Sequence, residues 1–413
     1  MTEDDLRRRL EAADAPDRDA AEERAWRVVG AAYDERGPRR ANGGGRRRTL
    51  IAAATAAVAI AVAASPAGAT VADWVRDVFA PGHPDTEPAL VELPAAGRLL
   101  ATSPTGAWVV PRDGAKRRLG PYRDATWSPR GLFVAATSGR ELVALEPGGE
   151  VRWALAGAAR ASDPAWSPDG YRIAYRSGRG LRVVAGDGTG DRRLAATVAA
   201  VRPAWRPGAR HVLALAEPDG RVAVVAADSG RVLWRGTPGP RPEALAWTSD
   251  GQWLLALTGH AVRVFAGRGR ELEPMRAPTG ARFTAMAVHP GDHRIALAQE
   301  FPGQLRGETV VRTLGGGPAR RLFSGDGSFS DLTWSPDGGW LLIGWPAADQ
   351  WLFVRAATAT KVRATSDVTR RLDPAATPKV VATSGVSRQL DPGDPRRAGF
   401  PTVEGWCCAR SAP

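Results

Sequence analysis

The sequence is short of cysteine, lysine and histidine, and each shortage excludes something. Two cysteines in 413 residues, adjacent at Cys407 and Cys408, allow no disulfide-stapled scaffold and no four-cysteine zinc site. Of five histidines only His289 and His293 lie close together, a thin supply of metal ligands. Lysine occurs three times (Lys116, Lys361 and Lys379), so nearly all of the 56 basic residues are arginine. No G-x-S-x-G nucleophile elbow, Walker A loop, H-E-x-x-H pair or Rossmann G-x-G-x-x-G occurs, so no catalytic residue and no cofactor is expected. What is abundant points elsewhere. Gly (47) and Pro (33) suit a turn-dense β protein, and 43% hydrophobic residues can fill a large core. A single barrel or propeller can absorb most of this length.

The net charge of +12 is unevenly placed. Residues 1–48 hold 12 basic and 11 acidic residues, so nearly all of the excess lies beyond them. A basic surface can bind nucleic acid, anionic lipid or a cell-wall polymer, but the arginines are scattered, so nucleic acid is not expected. Within 1–45 two short helices are expected. The first starts at the Thr2-x-x-Asp5 capping pattern and runs to about Asp14, and Pro16 ends it. The second, about Arg18–Arg36, places Trp26, Val29 and Tyr33 on one face, either solvated or docked on a cytoplasmic partner. A Gly-rich linker follows.

Arg46-Arg47-Arg48 then abuts residues 49–72, a run of 24 positions without a charge. A bilayer core is spanned by about 20 residues. We read 46–72 as a basic flank and transmembrane anchor, with a signal peptide cut after Ala67-Gly68-Ala69, and hence secretion, as the alternative. The arginines place residues 1–45 in the cytoplasm and the bulk of the chain outside. Residues 73–96, including the amphipathic stretch around Trp74, read as a juxtamembrane linker.

A repeat carries the fold. WSPRG begins at Trp127, WSPDG at Trp166, WRPGA at Trp205, WTSDG at Trp247, HPGD at His289 and WSPDG at Trp334, at spacings of 39, 39, 42, 42 and 45 residues. A period near 40 with short alternating strands is the signature of a β-propeller blade. In Ser-Pro-Asp-Gly the proline presets φ, the glycine accepts positive φ, and Asp169, Asp250 and Asp337 cap turn N–H groups. Strands are expected at Tyr171–Arg176, Leu181–Ala185 and Arg192–Leu194 in one unit, and the Trp register is expected to pack between blades, His289 standing where Trp stands elsewhere. A further unit, Leu99–Gly106 with strands at Trp108–Pro111 and Arg117–Leu119, is too short for four strands. Phe400–Trp406 can supply the missing one, so seven closed blades over 97–406 are expected, with six as the alternative and 407–413 as a tail. Near the end Val362–Pro374 recurs as Val380–Pro392; one copy is expected to form an outer strand and the other to loop out.

These WSPDG units resemble the TolB-like family of propeller repeats, relatives of the WD-repeat class. GGEVRW (Gly148–Trp153) and SGRVLW (Ser229–Trp234) look like the outer-strand motif of quinoprotein-type repeats. The resemblance covers roughly residues 97–355 and implies architecture; such propellers serve as binding platforms, chaperone-like partners and enzymes alike. Some TolB-like propellers precede a hydrolase domain, and with no such domain here a propeller-gated peptidase is not expected. The layout of cytoplasmic segment, anchor and propeller is similar to that of membrane proteins of actinobacteria.

Candidate chemistry is sparse. His289 and His293 can share a metal only if they converge, and at a blade start packing is the plainer role, so no metal site is expected. Asp187-Gly188-Thr189-Gly190-Asp191 offers too few carboxylates for a calcium cage. Cys407 and Cys408 can form a vicinal disulfide, bridge to another chain or stay as thiols. The leading expectation is a non-enzymatic, extracytoplasmic binding platform for a protein, a peptide or an anionic cell-envelope polymer. Transmembrane signalling of the anti-sigma kind, with a propeller sensor, is the alternative; a metal- or quinone-dependent propeller enzyme stands third.

Overall fold

Short alternating strands between Gly- and Pro-bearing turns pair with their immediate neighbours, so each repeat folds as an antiparallel meander. The computed structural model describes residues 92–356, 380–391 and 399–408, all within one compact unit, His83–Pro413. Blade 1 contains β1 (Arg98–Ser103), β2 (Gly106–Val110) and β3 (Arg117–Gly120); blade 2 contains β4 (Asp124–Trp127), β5 (Val134–Ser138), β6 (Glu141–Leu145) and β7 (Val151–Ala156). Blade 3 is β8 (Ala161–Trp166), β9 (Arg172–Ser177), β10 (Gly180–Ala185) and β11 (Arg192–Ala195). Blade 4 is β12 (Ala204–Trp205), β13 (Val212–Ala216), β14 (Val222–Ala226) and β15 (Arg231–Arg235). Blade 5 is β16 (Ala244–Trp247), β17 (Trp253–Thr258), β18 (Ala261–Ala266) and β19 (Met275–Arg276). Blade 6 is β20 (Arg282–Val288), β21 (Arg294–Phe301), β22 (Arg306–Thr313) and β23 (Arg320–Asp326). Blade 7 is β24 (Leu332–Trp334), β25 (Trp340–Trp345), β26 (Gln350–Arg355) and β27 (Val380–Ser384), followed by the short helix α1 (Val386–Leu390).

The last strand, β28 (Thr402–Cys407), returns to blade 1 and pairs with β1, Leu99 opposite Trp406 and Leu100 opposite Gly405. Seven four-stranded sheets result, and the two ends of the propeller sequence close the ring through one sheet. The innermost strands touch in turn, β28 to β4, β8, β12, β16, β20, β24 and back to β28. Seven blades are therefore present, and the six-blade alternative falls. Second and third strands are sandwiched between neighbouring sheets and buried on both sides, as in β5 and β14. Outer strands alternate instead: Val151–Ala156 and Arg231–Arg235 expose every second residue.

Tryptophan cements the wedges between blades. Trp127, Trp166, Trp205, Trp247 and Trp334 end the inner strands of blades 2, 3, 4, 5 and 7, each at most 9% exposed. Trp205 Nε1 donates to the Ala165 carbonyl at 2.9 Å, Trp247 to Ala204 at 3.2 Å and Trp334 to Ala287 at 3.2 Å, always into the preceding blade. Guanidinium groups lie over three of these rings: Arg98 over Trp127, Arg206 over Trp247 and Arg294 over Trp334, at 5.0, 5.1 and 5.9 Å. On the outer strands Trp153 and Trp234 bond the Gly186 and Gly267 carbonyls of the next blade at 3.0 and 3.1 Å. Each ring covers a glycine at positive φ, Gly188 or Gly269, where a Cβ would stand 2.8 Å from the indole.

His289 departs from the expected register. Its N–H bonds the Arg294 carbonyl at 2.9 Å, as Ser128 bonds Phe133 and Ser335 bonds Trp340 at 2.8 Å. His289 thus stands at the serine position, one beyond the Trp register, which Val288 fills. Of the duplicated segments, the second forms β27 and α1; the first, 362–374, lies outside the described residues. So do residues 1–91, with the expected helices, the Trp26–Val29–Tyr33 face, the anchor at 46–72 and most of the linker. Among the described residues no helix is long and apolar enough to cross a membrane.

Candidate functional site

In a meander that starts at the axis, the loops after the fourth and second strands share one end of the ring, and those after the first and third share the other. Each inner strand therefore begins at the first end and runs to its Trp turn at the second. Three residues before the repeat Trp, a charged residue recurs: Asp124, Asp163, Arg202 and Asp331 in blades 2, 3, 4 and 7. Blade 1 adds Glu404 on its closing strand, β28.

These side chains converge across the axis. Arg202 of blade 4 donates to Glu404 of blade 1 at 2.7 Å, although the two sheets are not neighbours. Glu404, 6% exposed, accepts a second bond from the Thr102 hydroxyl at 2.9 Å. Asp124 accepts from the Thr137 hydroxyl at 3.2 Å and from the Asp163 N–H at 3.4 Å. Asp163 is held by Arg176 at 2.7 Å. Burial acts to lower the Arg202 pKa, but the charge and hydrogen bond of Glu404, aided by Asp163 and Asp124, outweigh it and hold the group above its ordinary value. About a third of its side chain (34%) remains open to solvent. Burial pushes the Asp331 carboxyl up to about 6, the Glu404 charge adding to it while bonds from the Ser330 hydroxyl and the Val403 N–H oppose. The arrangement is a mutually bonded charge network beside one carboxyl, Asp331, held toward its protonated form. Among the described residues no group of three or more His, Cys, Asp or Glu side chains is placed to hold a metal ion.

The residues singled out from sequence lie apart from this network. His289 turns to blade 7: Gly291 N–H donates to its Nδ1 at 3.1 Å, and Nε2 lies 3.2 Å from the Gly338 carbonyl. Burial lowers its pKa, with Arg294 adding and Asp292 opposing. His293 turns to blade 5 and bonds Asp250 at 2.8 Å, so the pair does not converge. Asp169, Asp250 and Asp337 accept turn N–H groups of Tyr171, Gln252 and Gly339, each at 3.0 Å. Asp187 is occupied by Thr189, and Asp191 holds Arg182 through two donors and accepts from the Tyr175 hydroxyl. Cys407 and Cys408 are joined as a vicinal disulfide against the Ser128–Gly131 turn, the Cys408 sulfur 3.3 Å from the Pro129 carbonyl oxygen. The converging set escaped the motif reading because its members sit 39 to 129 residues apart, one to a blade. A constant offset from the repeat Trp was the available signal for four of them; Glu404, in a blade with no WSPDG copy, carried none.

No family model matches the chain, and no curated protein matches it. Solved structures are similar in fold. Kuenenia stuttgartiensis hydrazine synthase is 15% identical with a TM-score of 0.47, over 56% of this chain and 76% of that one. KlHsv2 with loop 6CD replaced by a Gly-Ser linker is 13% identical with a TM-score of 0.47, over 65% and 92%. The Cps50 (Swd1) β-propeller domain of Myceliophteria thermophila is 12% identical with a TM-score of 0.49, over 62% and 95%. At such identities the likeness is one of fold.

Proposed function

We propose that the chain is a membrane-anchored β-propeller that acts as a non-enzymatic binding platform, its N-terminus cytoplasmic and its ring outside, for a protein, peptide or cell-envelope polymer. The observation that carries this reading is the inner charge network. Arg202 bridges Glu404 across the axis, and Asp163 and Asp124 are each bonded to side chains of their own blades. Groups that satisfy one another are poorly disposed to act on a substrate, whereas the loop-built end faces of a closed ring offer a broad recognition surface. The anchor rests on the 24 uncharged positions that follow three arginines.

The test is affinity capture from cell-envelope extract with the full chain as bait, beside the same chain heat-unfolded. Reproducible enrichment of one partner by the folded chain alone is expected. Equal recovery by both baits contradicts the platform. For the anchor, the full chain is expected in the membrane fraction after carbonate extraction, with the propeller open to protease added outside intact cells.

A further inference from the structure

The two end faces of the ring differ in charge over one sector. On the face where inner strands begin, five successive loops run from blade 1 to blade 4: 121–123, 139–140, 157–160, 178–179 and 196–203. Each carries one arginine (Arg123, Arg140, Arg160, Arg179 and Arg202), and none carries an aspartate or glutamate. Arg123, Arg140, Arg160 and Arg179 are exposed, and among the described residues their side chains meet no carboxylate. The loops adjoin: Gly157 N–H bonds the Arg140 carbonyl at 2.9 Å, Gly178 the Arg160 carbonyl at 2.8 Å and Val198 the Arg179 carbonyl at 2.8 Å. Gly139 and Gly178, at φ 57° and 58°, make two-residue hairpins that set the arginine at the tip. On the opposite face the same blades alternate sign, with Asp113, Glu146, Glu150, Asp169 and Asp228 among their loop residues. Elsewhere on the first face acids return, at Glu217, Asp219 and Glu243.

From this asymmetry we infer that the five-loop arc is a docking surface for a linear polyanion bearing closely spaced phosphate groups. The inference deepens the platform reading and rests on it. A guanidinium offers a planar fork of donors to phosphate oxygens, and adjoining unpaired forks suit a ligand with a charge on every unit. Counterion release then drives binding without an apolar anchor. The arc has no such anchor: its exposed neighbours are Pro121, Ala158, Ala196, Thr197, Ala200 and two glycines, and its one aromatic residue, Tyr122, is buried. Bases therefore find no stacking platform, and an acidic peptide finds no pocket for its side chains.

The test measures binding of labelled long-chain inorganic polyphosphate to the full chain by fluorescence anisotropy. Four neutralised phosphates, one for each exposed arginine and none for Arg202, which Glu404 already holds, predict a log–log salt slope of about −2.8, roughly a fiftyfold loss between about 50 and 200 mM salt. Arg140→Glu with Arg179→Glu is expected to cost at least about tenfold in affinity and to flatten that slope. Arg130→Glu, on the opposite face, is expected to change binding less than about twofold. Arg140→Gln with Arg179→Gln, which only removes charge, is expected to fall between, guarding against a folding defect in the reversed variant. Unchanged binding in the reversed variant, or an equal loss in Arg130→Glu, overturns the arc. Equal or tighter binding of polyglutamate or oligothymidylate overturns the phosphate assignment in favour of an acidic peptide or a nucleic acid. If the arc fails while envelope capture succeeds, the platform stands without it.

Discussion

Arg202 and Glu404 belong to sheets on opposite sides of the ring, so their bond is a strut as much as an ion pair. Replacing Arg202 by Met leaves Glu404 buried with only Thr102 for company. We expect a loss of about 2 kcal/mol in urea unfolding, less than for a fully buried pair because Arg202 is partly solvated. Arg202→Met with Glu404→Gln is expected to recover part of it, and a double-mutant cycle reads the coupling. Asp331 behaves oppositely to an ordinary carboxylate. Its folded pKa of about 6 stands above the ordinary aspartate value of 3.8, so the folded ring holds a proton that the unfolded chain releases. The stability this group contributes is present below the unfolded pKa and is lost as pH rises through the folded one. Asp331→Asn is therefore expected to raise stability at pH 7 by up to about 2 kcal/mol, with no gain at pH 3. Asp250 has the reverse sign. Burial opposes its ionisation, yet bonds from the Thr248 hydroxyl, the Gln252 N–H and His293 bring its pKa to about 2. That stabilisation is present above the unfolded value and fades as pH falls through about 2. Asp250→Ala is expected to cost roughly 1 kcal/mol at pH 7, discounted for exposure, with the gap to the parent closing in strong acid.

At the scale of elements, the inter-blade tryptophans separate ring packing from hydrogen bonding. Trp205→Phe keeps most of the buried ring and drops the bond to Ala165, so about 1 kcal/mol is expected to be lost; Trp205→Ala also opens a cavity and is expected to cost about 3–5 kcal/mol. Thermal or urea unfolding of the two variants checks the ratio. The strands themselves were legible because turn chemistry and alternation recur every 39 to 45 residues: Tyr171–Arg176 was expected and Arg172–Ser177 is found. β28 was legible as well, since blade 1 lacked a strand and Phe400–Trp406 had no other sheet to join. His289 was misplaced by one position. An aromatic-looking ring invites alignment with Trp, whereas the backbone is registered by the turn hydrogen bond. His211 gave no sequence signal either. It is buried between Asp228 on its own blade and Asp169 of blade 3, Nε2 3.0 Å from the latter, and only the packing of blade 4 on blade 3 brings those three together.

For the molecule as a whole, closure by a C-terminal strand makes the ring depend on both ends of its sequence, and it fixes which loops share a face. Net charge was readable from composition. The gathering of arginines in one sector of one face was not, because the five lie 17 to 23 residues apart in separate loops and unite only when strand direction is assigned. A partner is therefore expected to dock on that loop face and not within the paired inner network or on the Trp-turn face. Hydrogen–deuterium exchange of the full chain with and without polyphosphate tests that expectation most directly. New protection is expected in loops 121–123, 139–140, 157–160 and 178–179, with the Trp turns at Ser128–Gly131 and Ser167–Gly170 unchanged. Protection confined to those Trp turns, or none on either face at low salt, would contradict it.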